Sequence, residues 1–534
     1  MSDLFDKRGD GVSRRDTRTK KEQDARKKSR ATAVIVVLVF AVVFVGALVV
    51  NSNFIRRATT AITIDGISFS VSEFDYFYNA AIFEYTELIQ QQIPDFASAM
   101  LPSRDRPLAS QIQNHETGAT WADFFVERAI NNMSELTRMY NAARASGFVM
   151  SEEDRENMNN QFDMLMMEAD FAVSMQPHIH PTPMSFLQAL YGNSFNEDVL
   201  RSVLEFTFTA ISYSNHTRQS LSYSESELEA FYLENIQNLD VFRFRRIVVM
   251  PEMLNPLDFD TGDELYYAQE AAEQEAVEIA QQIADSVQTE EDFIAAALEL
   301  DPERFADPRS TLFEQQGEFI DADFHGWLTD TQRAYGDIMT SEAANGINVL
   351  FFVERDDNNY YMTSMRQILI LREQVNPDDF LEGEDDPAFI EAVEFVETLA
   401  RERAEAAEAV FQVGGGGEEQ LIDMMPDFSD DATEGGFYDQ IARFPFQSER
   451  VAVMRVVPEL EEWLFDENRQ FGDSELIRTE AFGYHLMFFA GHGENFRHFI
   501  AGETMRSRDH ADWLQGLPDV EAVSRHWAFT LTQQ

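Results

Sequence analysis

Residues Ala31–Val50, ATAVIVVLVFAVVFVGALVV, run for 20 positions without a charge, and that stretch limits what the chain can be. About 20 apolar residues are what a helix needs to cross the roughly 30 Å of hydrocarbon in a bilayer. The run therefore reads as a transmembrane helix. Arg14, Arg15, Arg18, Lys20, Lys21, Arg26, Lys27, Lys28 and Arg30 precede it, whereas only Arg56 and Arg57 follow closely. The positive-inside rule then puts the N-terminus in the cytoplasm and everything after Val50 outside. A cleaved signal peptide is the competing reading, but its apolar region would span about 7 to 15 residues and end at a small-residue cleavage site. The expectation is a single-pass protein of the cell membrane, with a basic cytoplasmic tail at 1–30, a membrane helix at 31–50 and the bulk extracytoplasmic.

A chain of 534 residues exceeds what one hydrophobic core serves and suggests about three or four folding units. An apolar fraction of 44% with 45 Phe offers enough surface to offset the entropy of ordering, so the outer part should fold. No Cys is present, which excludes disulfides, lipidation at a Cys, thiolate metal sites and thiol nucleophiles. Residues 1–30 hold 11 basic and 6 acidic side chains against a total charge of −54, so the remainder carries −59, and no Lys occurs after Lys28. Such a surface repels nucleic acid and anionic headgroups. It suits cations and basic or unfolded polypeptides, or serves only to keep an exported protein soluble.

Beyond the anchor, Ala61–Gly66 reads as a short strand ending in a turn, and Ser70 with Glu73 forms a capping box before an aromatic run, Phe74–Gln92. Further helices are expected over Trp121–Ser146 closed by Gly147, Ser151–Ser174, Asn196–Gln219 and Ser224–Asn235. The texture changes at Val241, where the β-branched VFRFRRIVVM precedes helices at Tyr267–Ser286 and Thr289–Leu300. The same order returns with YYMTSMRQILI from Tyr360, a helix over Pro387–Val413 and a loop at Gly414–Gly417.

This recurrence is an internal repeat. Trp327–Asp337, WLTDTQRAYGD, matches Trp463–Asp473, WLFDENRQFGD, at Trp, Leu, Asp, Arg, Gly and Asp, and each is followed by a Gly-led strand, GINVLFF from Gly346 and GYHLMFF from Gly483. Two copies of one domain lie in tandem, about 241–358 and 360–495. A closing amphipathic segment, His510–Leu517 and Val520–Phe529, is expected to fold back onto the helical N-terminal region.

In the second copy the blocks Arg366-Gln367-Ile368-Leu369, Phe428-Ser429-Asp430-Asp431, Gly435-Gly436-Phe437, Pro458-Glu459-Leu460-Glu461 with Phe465, Gly472-Asp473 and Phe482-Gly483-Tyr484-His485 stand in order. The chain here resembles the parvulin (PpiC-like) peptidyl-prolyl isomerases, and with a helical segment and an anchor before it the whole is similar to the SurA/PrsA class of extracytoplasmic foldases. The resemblance implies an α+β chain: the membrane helix, a mostly helical SurA-N-like chaperone domain at 59–240 completed by about 505–530, and two parvulin-like α/β domains with small antiparallel sheets. It also implies a shallow apolar pocket for a proline ring. Isomerisation needs only a site that binds the twisted amide better than either planar form.

Carried over residue by residue, the family's first His falls on Gln367 in the second copy and Arg246 in the first, and its second His falls on His485 and Asn348. The acidic position falls on Asp431, and the ring-gripping positions on Val456, Leu460 and Phe465. A Gln hydrogen-bonds where a His would but holds no proton, so the paired imidazoles are lost. His485 has a structural reading as a core-strand histidine bonded to Asp431, and Asp431 one as a turn or capping residue.

Other patterns point to bland roles. His178-Ile179-His180 supplies two imidazoles between prolines, short of a metal site; Gly414–Gly417 lacks a P-loop Lys; and Glu382–Asp386 lacks the spacing of a calcium loop. No cofactor or metal is implied. The aromatic stripe from Phe74 to Tyr85 and Met158, Met164, Met166 and Met167 are either core or a client-binding lining, since Met-rich surfaces repack around many sequences. The partners expected are unfolded or proline-containing exported polypeptides. The alternative is a catalytically inert parvulin-like scaffold or assembly partner at the cell surface.

Overall fold

The computed structural model describes residues 53–447 and 452–532. The tail and the Ala31–Val50 run lie outside them, and among the described residues no helix is long and apolar enough to cross a membrane. The chain divides into two compact units, residues up to Leu221 together with Asp509 onward, and Ser222–Arg508.

The first unit is helical around a small sheet. The Asp65-Gly66 pair takes positive φ of 42° and 83°, the backbone a tight hairpin demands, and joins Thr60–Ile64 to Ile67–Ser70. In the closing segment Val523–Arg525 pairs antiparallel with Ile62–Ile64. Capping boxes at Ser70, Thr120 and Ser151 start the helices Val71–Gln92, Trp121–Ser146 and Glu152–Met175, and Gly147 at φ 74° ends the second. These caps satisfy N–H groups that a helix start leaves without partners. Phe74, Phe125, Phe195, Leu200 and Phe529 fill the core.

The second unit holds both repeats, and their sheets have one topology. The first is ordered Leu312–Gln316, Val241–Val249, Gly346–Asp356, Ile338–Ala343; the second Phe437–Ile441, Tyr361–Leu371, Gly483–Asn495, Ser474–Thr479. Helices cover both faces of each sheet. In the second copy Ile368, Ile370, Leu486 and Phe488 pack under the helices Pro387–Val413 and Glu418–Phe428. The opposite face, with Met365, Met487 and Phe489, packs against Leu460, Trp463 and Leu464 of Pro458–Leu464.

The residues common to the two copies form a clasp. Arg333 and Arg469 donate from Nε to the carbonyls of Trp327 and Trp463 at 3.1 and 3.0 Å, and their guanidiniums lie 4.2 and 4.0 Å from those indole rings. Gly336 and Gly472 then donate to Phe352 and Phe489, both at 3.0 Å. The matched motif is thus architecture that pins a short helix to the central strand. The Gly-led strands share a cause as well: a Cβ on Gly346 or Gly483 would sit 2.2 or 2.5 Å from a carbonyl oxygen of the neighbouring strand.

Two readings shift. The helix Glu225–Glu234, placed by the sequence in the 59–240 region, contributes Leu228 and Tyr232 to a core with Phe496, Phe499 and Ile500 of the second unit. Its own cap fixes the helix, but tertiary packing decides its owner. The Gly414–Gly417 loop leads into a further helix, Glu418–Phe428, which Pro426 masks from a pattern-based reading.

Candidate functional site

Neighbouring central strands bring Gln367 and His485 together, and the loop after the helix Glu418–Phe428 adds Asp431. Leu369 stands opposite His485 and Gln367 opposite Met487 in the register, so both side chains lie on the face that meets the helix Pro458–Leu464. Gln367 donates from Nε2 to Asp431 Oδ2 at 2.8 Å, and His485 Nδ1 lies 2.8 Å from Gln367 Oε1. Nε2 of the same imidazole lies 3.0 Å from Thr479 Oγ1. Asp431 Oδ2 also receives the Tyr438 hydroxyl at 2.7 Å, and Thr433 Oγ1 stands 2.8 Å from that hydroxyl.

The carboxylate sets every proton in this chain. An ionised Asp431 accepts only, so the Gln367 amide must turn its NH₂ toward it and its oxygen toward His485. His485 then donates from Nδ1 and accepts the Thr479 proton at Nε2, which fixes one neutral tautomer. Burial opposes the charged imidazole and lowers the His485 pKa from 6.5 to about 4, against the pull of Asp431 and Glu459. For Asp431, burial works to raise the pKa, but hydrogen bonds from the Thr433 backbone, Gln367, Tyr438 and the Thr433 hydroxyl outweigh it and hold the carboxyl below its ordinary range. Burial and the adjacent carboxylate raise the Tyr438 pKa.

A Gln in place of the first imidazole therefore keeps the relay continuous, because an amide both donates and accepts. It carries no exchangeable positive charge, and with His485 3% and Gln367 6% exposed the group offers oriented dipoles rather than a titrating acid or base. Phe482, edge-on to His485 at 6.1 Å and exposed, forms the accessible rim.

Val456, Leu460 and Phe465, the positions expected to grip a proline ring, share one apolar cluster with Met487 and Tyr438. Leu460 is buried in the core, whereas Val456 and Phe465 line a cavity of about 1030 Å³ between the two repeats, to which His485, Gln367 and Asp431 contribute nothing. Sequence reasoning also missed Thr479, Thr433 and Tyr438. Thr479 had a legible signal, since it closes a hairpin whose Gly483 start was already marked; Tyr438 had none, because an edge-strand pairing with Met365 delivers it.

The first copy has the same layout with different chemistry. Arg246 donates from Nε to Asn348 at 2.9 Å and Asn348 to Ser341 at 3.2 Å. The guanidinium lies 5.2 Å over Phe324, the counterpart of Leu460, so a permanent cation takes the place of the relay. Among the described residues no cluster of three or more His, Asp or Glu is arranged to hold a metal ion.

No family model matches the chain, and no curated protein matches it. Solved structures similar to it include a SurA-like chaperone of Campylobacter jejuni, at 12% identity and a TM-score of 0.16 over 39% of this chain and 71% of that one. PrsA from Bacillus subtilis is similar at 12% identity and a TM-score of 0.14, over 52% of this chain and 88% of that one. Likenesses this slight carry no function from one chain to another.

Proposed function

We propose that this protein is an extracytoplasmic, membrane-anchored foldase that holds exported polypeptides on its first unit. One observation carries the reading. Met164, Met167, Phe171 and Met175 of the helix Glu152–Met175, spaced i, i+3, i+7 and i+11, are 42 to 67% exposed, and Ile179 in the turn that follows is exposed too. The inner face of that helix is already satisfied by Phe162 and Ala169 in the core. A chain with a net charge of −54 has abundant polar residues with which to cover a helix, so a flexible Met/Phe stripe left in water favours contact with unfolded chains of many sequences. The test is light scattering of an unfolded client mixed with the full chain. Suppressed aggregation is expected, and none at molar excess would remove the reading.

The relay Thr479, His485, Gln367 and Asp431 favours a second activity, prolyl isomerisation by the second repeat. It retains ordered donors beside an exposed aromatic rim, and a twisted amide requires no proton transfer. A proline-peptide isomerisation assay on the full chain and on His485→Ala decides it: equal rates, or a rate no faster than the uncatalysed one, would leave the second repeat an inert scaffold.

A further inference from the structure

The cavity between the two repeats has no part in the relay, yet its chemistry is specific. Four arginines line it. Arg243 pairs with Glu314 and Glu354, Arg455 with Glu314 and Glu461, and Arg309 with Asp307. Arg443 differs: its guanidinium lies 5.4 Å from the Tyr360 ring and 5.2 Å from the Phe465 ring, the Asp356 carboxylate on the same wall feels its charge, and among the described residues no carboxylate stands within ion-pair distance of it. Two aromatic faces orient a planar fork of donors whose natural complement is a carboxylate.

The opposite wall points to a polypeptide as the bearer of that carboxylate. Leu312 and Glu314 line it from one face of the first repeat's sheet, where Glu314 stands opposite Arg243, and their strand is an edge strand paired on one side only. An open edge offers main-chain donors and acceptors to an extended chain. Phe444, Pro445 and Val456 supply apolar surface beside it.

We propose that this inter-repeat cavity is a second polypeptide-binding site, which takes an extended segment carrying an Asp or Glu that pairs with Arg443. The class of ligand rests on the polypeptide-binding reading above; the site does not depend on isomerisation. The probe is a pair of fluorescein-labelled 12-residue peptides containing a Phe-Pro step and differing only by Glu or Gln beside it, titrated by anisotropy into the full chain. The Glu peptide should bind roughly three- to tenfold tighter, as for a partly screened charge-assisted pair. Arg443→Gln should bring the affinities of the two peptides together, and Arg443→Lys should keep part of the preference. Equal binding of both peptides, or a preference that survives Arg443→Gln, would overturn the proposal. Isomerisation measured on the same samples separates the two readings: discrimination without turnover leaves this site standing and removes the isomerase, and turnover without discrimination does the reverse.

Discussion

Between pH 6.5 and about 4 the second repeat should lose on the order of 3 kcal/mol of stability through His485 alone. The unfolded chain binds a proton at this imidazole near pH 6.5, whereas the folded protein, with the ring desolvated and 3% exposed, binds it only near 4. Across that window the unfolded state holds the extra proton. The contribution is therefore fully present above 6.5, falls with pH and is gone below about 4. Since a tenfold change in proton affinity is worth about 1.4 kcal/mol, the gap gives the stated magnitude. Urea midpoints of the full chain at about pH 7.5 and pH 4.5, compared with those of His485→Gln, isolate it, because the 95 Asp and Glu titrate in both proteins and cancel. Nitrogen NMR of labelled His should show the Nδ1–H tautomer and no titration above pH 5. An imidazole that titrates near 6.5, or wild type and variant losing stability in parallel, would refute the tautomer and the desolvation argument together.

Other substitutions probe separate parts of the molecule. Gln367→Glu sets a second carboxylate against Asp431 in a buried relay and should cost about 3 kcal/mol at neutral pH, partly recovered at pH 5, in the same denaturation assay. Arg469→Leu strips the Trp463 carbonyl and indole of their partner and should cost about 1 to 3 kcal/mol; Arg333→Leu should match it in the first repeat if the clasp is one device used twice. Gly483→Ala, whose Cβ meets Ile370 O at 2.5 Å with φ at 133°, should cost at least about 2 kcal/mol, read from the loss of Tm. Met167→Ser with Phe171→Ser should change stability by less than about 0.5 kcal/mol yet weaken suppression of client aggregation.

What could be read from residues alone was whatever local chemistry writes down. Ser70, Ser151 and Ser224 announced their helices because a capping box is a sequence pattern as well as a hydrogen-bond pattern. The duplication was legible because the clasp needs the same six side chains in both copies. His485, Gln367 and Asp431 each stand in a separate motif block; the sheet register joins the first two, and a loop brings Asp431 to Gln367. Val456 and Phe465 pack against the core around Leu460 and also line the cavity beside the first repeat, a relation no local pattern encodes. The ownership of Glu225–Glu234 escaped for the same reason: its partners Phe496 and Ile500 lie more than 250 positions away.

The pairing of Val523–Arg525 with Thr60–Ile64 has a consequence for the order of events during synthesis. Asp65 accepts from the backbone of Glu521 and Ala522, and Phe529 closes on Phe74 at 4.8 Å. The earliest hairpin to emerge thus remains an open edge until residues some 460 positions later arrive to complete it, and long-range pairings of this kind form slowly. Ser222–Arg508 is complete before Val523 is added and holds hydrophobic cores of its own. The middle of the polypeptide should therefore close its cores before the sheet of the first unit is complete.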